Sequence, residues 1–282
     1  MKHFIRLLIL SAAFMTASNF MASEAAAYGK PESNDGYSLS VDGFDYEGEA
    51  FTYKSTAYVS LREFACMADN SVVTWDESTH TAYVKTDSLD LSAREYAAYI
   101  EANGRVLWCE NGLFTDDGIL YVPLKAVAQA FGFDSHYSAD EHRTYLTRER
   151  GAIEHGDEYY NADDLYWLSK IIHAESQGEP FLGKMAVGNV VLNRVDDSDF
   201  PNTVYDVIFD RKNGVQFSPV ANGMINEEAG AESVAAAKIC LENVSLSNDI
   251  LYFLSEKLAT NFWIVHNCRF VMSIGGHDFY AP

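Results

Sequence analysis

Positive charge is scarce in this chain. Its 282 residues carry 20 Lys and Arg against 41 Asp and Glu, a formal net charge of -21. A surface of that sign repels a phosphate backbone, which excludes nucleic acid as a partner, and it offers no simple Coulomb attraction to an anionic polymer. Long apolar runs are missing as well: the run Leu7 to Met15 is far shorter than the roughly 20 residues of a spanning helix, and no later segment approaches that length. The sequence has no His-Glu-x-x-His motif and only four cysteines, none in a motif for nucleophilic catalysis. It therefore predicts no cofactor and no metal.

What the first residues do contain is a charged start with Lys2 and Arg6, the short apolar run, and small residues ending in Ala25-Ala26-Ala27. That order predicts a secretory signal peptide over residues 1–27 and an exported mature protein with no membrane span. Residues 28–36 follow as a polar leader with no packing signal. Export permits disulfides, one in each half from Cys66 and Cys109 and from Cys240 and Cys268. Four cysteines allow three pairings, and Cys240, between Ile239 and Leu241 on a predicted helix, reads equally as a buried thiol.

The length suits two domains with ordinary cores. Over residues 37–147 the pattern Ala57-Tyr58-Val59-Ser60-Leu61-Arg62-Glu63-Phe64-Ala65 is echoed by Leu120-Tyr121-Val122-Pro123-Leu124-Lys125-Ala126-Val127-Ala128. Trp75-Asp76 and Tyr83-Val84 are echoed by Tyr137-Ser138 and Tyr145-Leu146 at nearly the same offset. Each unit predicts a strand, a helix (Leu61 to Met67; Leu124 to Phe131) and a hairpin, a duplicated α+β arrangement in which two units bury faces that neither buries alone. Residues 148–161, polar and glycine-bearing, read as a linker to a second domain over 162–282.

In that second domain, Leu165, Leu168 and Ile172 recur at i, i+3 and i+7, which predicts an amphipathic helix capped by Asp163 or Asn161. Gly178 suits its C-terminal cap and Pro180 the first turn of the next helix, Phe181 to Leu192, whose Gly183, Ala186 and Gly188 allow close packing. Glu175 falls in the last turn of the first helix. The negative end of the helix dipole and the apolar neighbours Ile171, Ile172 and Ala174 disfavour its ionisation, the condition for donating a proton. Glu179, at the start of the next helix, meets free N–H groups that favour the charged form, and reads as a capping group. By spacing alone, the plainer description of Glu175 is a solvated helix residue.

Further on, Val204 to Phe209 forms a short buried element and Glu232 to Val244 a helix. Ile250 to Leu254, Phe262 to Val265 and Arg269 to Ile274 read as strands, and Gly275-Gly276 turns the last of them.

The ordered motifs Ile172-His173-Ala174-Glu175-Ser176-Gln177-Gly178-Glu179-Pro180, Gly183 to Arg194, Phe200-Pro201-Asn202-Thr203 and Gln216-Phe217-Ser218 resemble the SleB-type cell-wall hydrolases, the spore-cortex-lytic enzymes. The likeness runs from about Leu165 to Tyr280. It implies a lysozyme-like, mainly helical catalytic domain with a small β-hairpin region, cleaving peptidoglycan glycan strands as a lytic transglycosylase with Glu175 as the acid. It also implies a substrate-facing loop at Gln216, Phe217 and Ser218, while Asn193, His277 and Tyr280 are sugar contacts or, equally, structural residues. Residues 37–147 resemble the stalk domain called copper amine oxidase N-terminal-like, which implies a spacing module or a site for a wall or protein partner; His80, His136 and His142 are too scattered to imply copper. Two other readings stand beside this one. A zinc amidase would use His173, Glu175 and His266 or His277, although residues two apart on a helix do not face each other. A wall-binding protein would keep the fold without the chemistry.

Overall fold

The computed structural model describes residues 37–212, 214–255 and 262–282. The expected signal peptide and leader, residues 1–36, lie outside them. The protein is a mixed α+β molecule, rich in strands at first and in helices later.

The first part runs β1 (Ser38–Val41), β2 (Phe44–Asp45), β3 (Ala50–Tyr53), β4 (Thr56–Ser60), α1 (Leu61–Asp69), β5 (Val73–Asp76), β6 (Thr81–Lys85), β7 (Asp90–Arg94), β8 (Tyr99–Ala102), β9 (Arg105–Trp108), β10 (Phe114–Asp116), β11 (Ile119–Pro123), α2 (Leu124–Ala130), β12 (Phe133–Ser138) and β13 (Arg143–Arg148). Hairpins β3–β4 and β10–β11 join through β4 and β11, with Val59 opposite Val122, in a sheet ordered β10-β11-β4-β3. Each of these hairpins leads into a helix. Ser60 caps α1 by accepting from the backbone N–H of Glu63. The aromatic rings of Phe51, Tyr58, Phe114 and Tyr121 pack together at one end of the sheet.

A five-stranded meander, β5-β6-β7-β8-β9, was not foreseen from the sequence. Alternation along its strands sends Ala82, Val84, Leu91, Ala93, Ile100 and Ala102 into a core with Phe64, Val127 and Leu146. Its other face carries Tyr99, Trp108 and Val106, which pack against the helices that follow. The sheet is thus shared between two cores.

The second part runs α3 (Gly156–Tyr159), α4 (Ala162–Ser176), α5 (Phe181–Asp196), α6 (Val204–Phe209), α7 (Ser218–Asn222), a 3-10 turn at Met224–Asn226, α8 (Ala231–Leu241), β14 (Tyr252–Leu254), α9 (Trp263–Asn267), β15 (Arg269–Ile274) and β16 (His277–Ala281). Leu168, Ile171 and Ile172 of α4, Val187 and Val191 of α5, Ile208 of α6 and Ile239 of α8 share a core roofed by Phe279. Of the two candidate caps for α4, Asn161 is the one used, accepting from the N–H groups of Asp163 and Asp164. A Cβ on Gly188 would stand 2.8 Å from Cys240 Sγ and 2.9 Å from Ile172 Cδ1, so α4, α5 and α8 meet at a point with no room for a side chain.

Several expectations are corrected. Phe262 to Val265 belongs to helix α9 and the residue before it, and not to a strand; the three-stranded sheet is β14-β16-β15. Gly178 is not the cap of α4, because the C-cap residue is Gln177, in right-handed geometry, and the last turn is closed by Ser176 Oγ donating to the Ile172 carbonyl. No disulfide forms: Cys66, Cys109, Cys240 and Cys268 are all free thiols. Cys109 is packed in the first core and Cys240 lies 3.4 Å from the Met185 carbonyl in the second.

The stretch 148–161 is mostly exposed but is pinned at three buried residues, Ile153, Gly156 and Tyr160. Ile153 is buried in the first core, and Asn103 binds it by donating to the Ile153 carbonyl at 2.7 Å. Tyr160 is buried beside the Arg105–Glu242 ion pair. Arg105 on β9 makes a two-pronged contact with Glu242 just beyond α8, at 2.7 and 2.5 Å, and lies 3.3 Å over the ring of Tyr159. Lys238 donates to the Gly104 carbonyl at 2.7 Å. No helix of the described residues is long and apolar enough to cross a membrane.

Candidate active site

Glu175 occupies the last turn of α4, three and four residues beyond the fully buried Ile172 and Ile171. Those residues direct that side of the helix into the core, and Glu175 follows them to its edge. Its carboxyl accepts no hydrogen bond and makes no ion pair among the described residues. Burial without compensation pushes its pKa from 4.5 up to about 7. A group with that value is protonated in a large fraction at neutral pH and still surrenders its proton readily.

Glu179 lies in a different setting. One of its carboxylate oxygens accepts the backbone N–H of Gly276 at 2.7 Å, in the turn between β15 and β16. The expected role as a cap of the following helix is not what it does: α5 has no side-chain cap, and Pro180 is its N-cap residue. The corner between α4 and α5 is held from below by Lys184, which is buried and donates to the Gln177 and Glu179 carbonyls at 3.2 and 2.5 Å. Two carboxyl groups four residues apart are thereby separated in character, one left uncompensated and the other engaged.

His277, the first residue of β16, is buried beside Glu179 and stacks edge-on against Phe253 with 5.2 Å between ring centroids. Burial lowers its pKa, the charge of Glu179 acts against that shift, and its Nδ1 has no hydrogen-bond partner among the described residues. Phe253 is also 6.3 Å from Phe217. A chain of contacts therefore runs from Glu179 through His277 and Phe253 to Phe217.

The remaining expected sugar contacts divide between surface and interior. Gln216 is half-buried and Ser218 exposed, and they flank a Phe217 that is buried at 2 % exposure. Phe217 is therefore corrected from a substrate-facing ring to a core ring: it packs under the Arg194 guanidinium, 5.2 Å away, where leaving an aromatic ring in water would forfeit burial. Asn193 is likewise committed to the fold, its amide donating to the Ser247 and Ile250 carbonyls at 2.9 Å each. Tyr280 is buried in β16, with Phe270 against its ring. Arg194, at the end of the Gly183 to Arg194 motif, is buried, donates to the Leu251 carbonyl at 2.7 Å and sits over the rings of Phe200, Phe217 and Tyr252. Desolvation lowers its pKa to about 10. A conspicuous Asn-Arg pair closing an apolar helix was the signal available for it.

The set His173, Glu175 and His266 or His277 does not converge. His173 accepts from the Gly230 N–H at 3.3 Å on the α8 side of α4, and His266 is exposed on α9. Among the described residues no three His, Cys, Asp or Glu side chains stand where they could hold one metal ion. In the first part, His80 pairs with Glu95 at 3.0 Å while His136 and His142 are exposed, so these residues do not fit a copper site.

Comparison with known proteins gives matches for both parts. The chain is 33% identical over 120 residues to a spore cortex-lytic enzyme of Bacillus cereus, covering 43% of this chain and 45% of that protein. It is 30% identical over 120 residues to the spore cortex-lytic enzyme of Bacillus subtilis, covering 38% of that protein. It is 27% identical over 130 residues to the cell wall hydrolase CwlJ of Oceanobacillus iheyensis, covering 89% of it. The chain thus spans less than half the length of the cortex-lytic relatives it matches. A solved structure described as the catalytic domain of the germination-specific lytic transglycosylase SleB from Bacillus anthracis is similar over 43% of this chain and 96% of that one, with 31% identity and a TM-score of 0.39. The family matches are Cell Wall Hydrolase over residues 178–280, opening three residues after Glu175, and Copper amine oxidase N-terminal domain over residues 40–146. The chain accordingly carries a cell wall hydrolase domain behind a copper amine oxidase N-terminal domain.

Proposed function

We propose that this protein cleaves peptidoglycan glycan strands as a lytic transglycosylase, with Glu175 as its single acid and base. The observation that carries the reading is the uncompensated burial of the Glu175 carboxyl, which holds its pKa near 7. Similarity to cortex-lytic and cell wall hydrolases supplies the substrate class.

Cleaving a glycosidic bond needs a proton delivered to the departing oxygen, and a hydrolysing glycosidase adds a second carboxylate to activate water or to attack the sugar. Here the neighbouring Glu179 already accepts the Gly276 N–H, which favours a one-carboxylate route. Protonated Glu175 gives its proton to the oxygen joining N-acetylmuramic acid to N-acetylglucosamine as the C1–O bond breaks. The N-acetyl group of the muramic sugar stabilises the cationic centre. The C6 hydroxyl oxygen then bonds to C1, and the Glu175 carboxylate takes the hydroxyl proton. Glu175 ends protonated, as it began, and the product is a 1,6-anhydro-muramic end. Gln216 and Ser218 face the glycan, whereas Phe217, Asn193 and Tyr280 shape the wall behind it and His277 stands at its edge beside Glu179.

The same proposal takes residues 162–282 as a lysozyme-like catalytic domain acting outside the cell on wall or spore cortex. Residues 37–147 are read as two copies of one unit, a view supported by the parallel placement of α1 and α2 after β4 and β11. The test is Glu175→Gln: soluble fragment release from purified peptidoglycan is expected to fall at least a thousandfold with the fold intact, and near-native release would remove Glu175 from the mechanism.

A further inference from the structure

The outer face of the five-stranded sheet is only partly covered. Cross-strand register aligns Tyr83, Ser92, Glu101 and Val106 in one row across β6, β7, β8 and β9. Neighbouring strands lie about 4.8 Å apart, so this row spans most of the sheet. Its Val106 end is buried under the helices. The other three side chains floor a cleft of about 580 Å³ whose far wall is Tyr160 and Lys238. A second cleft of about 420 Å³ shares Asp157, Tyr160 and Leu165 with the first and continues along α4 past Tyr166 and Lys170. Together they form one elongated groove at the junction of the two parts.

The groove holds polar groups with unused bonding capacity. Glu101 is half-buried and its carboxyl accepts no hydrogen bond from any described residue. Lys238 spends one N–H on the Gly104 carbonyl, leaving two. Polar groups with spare donors and acceptors in a partly shielded cleft favour a ligand bearing both hydroxyl donors and carbonyl acceptors. Tyr83 and Tyr166, 39% and 50% exposed, present ring surface at the two ends. Asp90, Glu101, Asp157 and Glu228 outnumber Lys238 and Lys170 along the groove, which disfavours an anionic polymer, and a small cation would use neither the length nor the rings.

We propose that this groove is a second, non-catalytic binding site for a chain of neutral N-acetylated amino sugars, held on the side of α4 away from Glu175. Tyr166 and Glu175 are nine residues apart, about two and a half turns, and so point to opposite sides of the helix. The inference rests on the reading that the protein acts on a glycan, and it adds a site that retains the strand while Glu175 works elsewhere.

The test uses the whole chain carrying Glu175→Gln, so that no cleavage intervenes, titrated calorimetrically with the hexamer of N-acetylglucosamine. Tyr83→Ala combined with Glu101→Ala is expected to weaken binding at least tenfold, and Tyr166→Ala, from the other half of the groove, at least threefold, with unchanged melting temperatures. Hexamer binding that neither change affects, or no binding at all, overturns the groove. Fragment release by the unaltered chain tests the glycan reading separately. Release with no groove binding sinks this proposal alone, whereas absence of both sinks the two together.

Discussion

The carboxylate of Glu179 and the backbone N–H of Gly276, 97 positions apart, meet at 2.7 Å. This bond ties the corner after α4 to the turn of the last hairpin, and so links the helix end that carries Glu175 to the sheet that carries His277. Gly275 makes the approach possible: its φ is +60°, and a Cβ there would land on the Glu179 carboxylate and 2.6 Å from Pro180 Cδ.

Glu179→Gln is expected to keep the acceptor and lose the charge, lowering stability by about 1 kcal/mol in chemical denaturation and leaving most of the fragment release intact. A folded but inactive Glu179→Gln protein would give Glu179 a chemical role that this account denies it.

Gly275→Ala acts on the same bond from the other side. The left-handed backbone costs a residue with a side chain about 1–2 kcal/mol, and the added methyl group displaces Glu179 as well. The expected result is a melting temperature lower than that of Glu179→Gln and reduced activity. A Gly275→Ala protein of native stability would mean that the turn is not held as described.

Burial holds the folded-state pKa of Glu175 above its free value, so the carboxyl adds nothing unfavourable below pH 4.5 and costs stability progressively as the pH rises from 4.5 to about 7. The full penalty, up to about 3 kcal/mol, applies above that range. Glu175→Gln is therefore expected to match the parent stability at pH 4 and to exceed it at pH 8. Activity should decline as pH climbs through about 7, because the acid form disappears. Equal stability of the two proteins at pH 8 would show that Glu175 is solvated.

Arg105 and Glu242 join the two parts with side chains 8% and 5% exposed. Arg105→Ala leaves Glu242 buried with, among the described residues, only the Tyr160 hydroxyl as side-chain donor, at 2.7 Å. A loss of about 3–5 kcal/mol is expected in denaturant unfolding. A change under 1 kcal/mol would indicate that water reaches the pair.

Much of α4 was legible because its information is local: the 165, 168, 172 stripe, the Asn161 cap and the position of Glu175 all follow from spacing and neighbours. The paired strand-helix-hairpin pattern around α1 and α2 was legible for the same reason. The partners of Glu179, Arg105 and Asn193 were not, since each contact spans more than fifty residues and depends on packing that no window of sequence contains. Phe217 was misplaced because an aromatic in a polar loop carries no mark of whether Arg194 lies above it. Phe262 to Val265 alternates too briefly to tell a strand from a helical turn. The five-stranded meander escaped because its outer face mixes Tyr83, Ser92 and Glu101 with Tyr99 and Trp108, which hides the usual contrast between a wet and a dry side.

The most direct test of the central claim is mass spectrometry of the soluble fragments that the protein releases from purified peptidoglycan. The account predicts 1,6-anhydro-muramic ends, absent when Glu175→Gln replaces the parent. Reducing muramic ends would show that water attacks with the help of a second carboxylate, and free stem peptides would show cleavage of the amide bond; either result would contradict the mechanism proposed for Glu175.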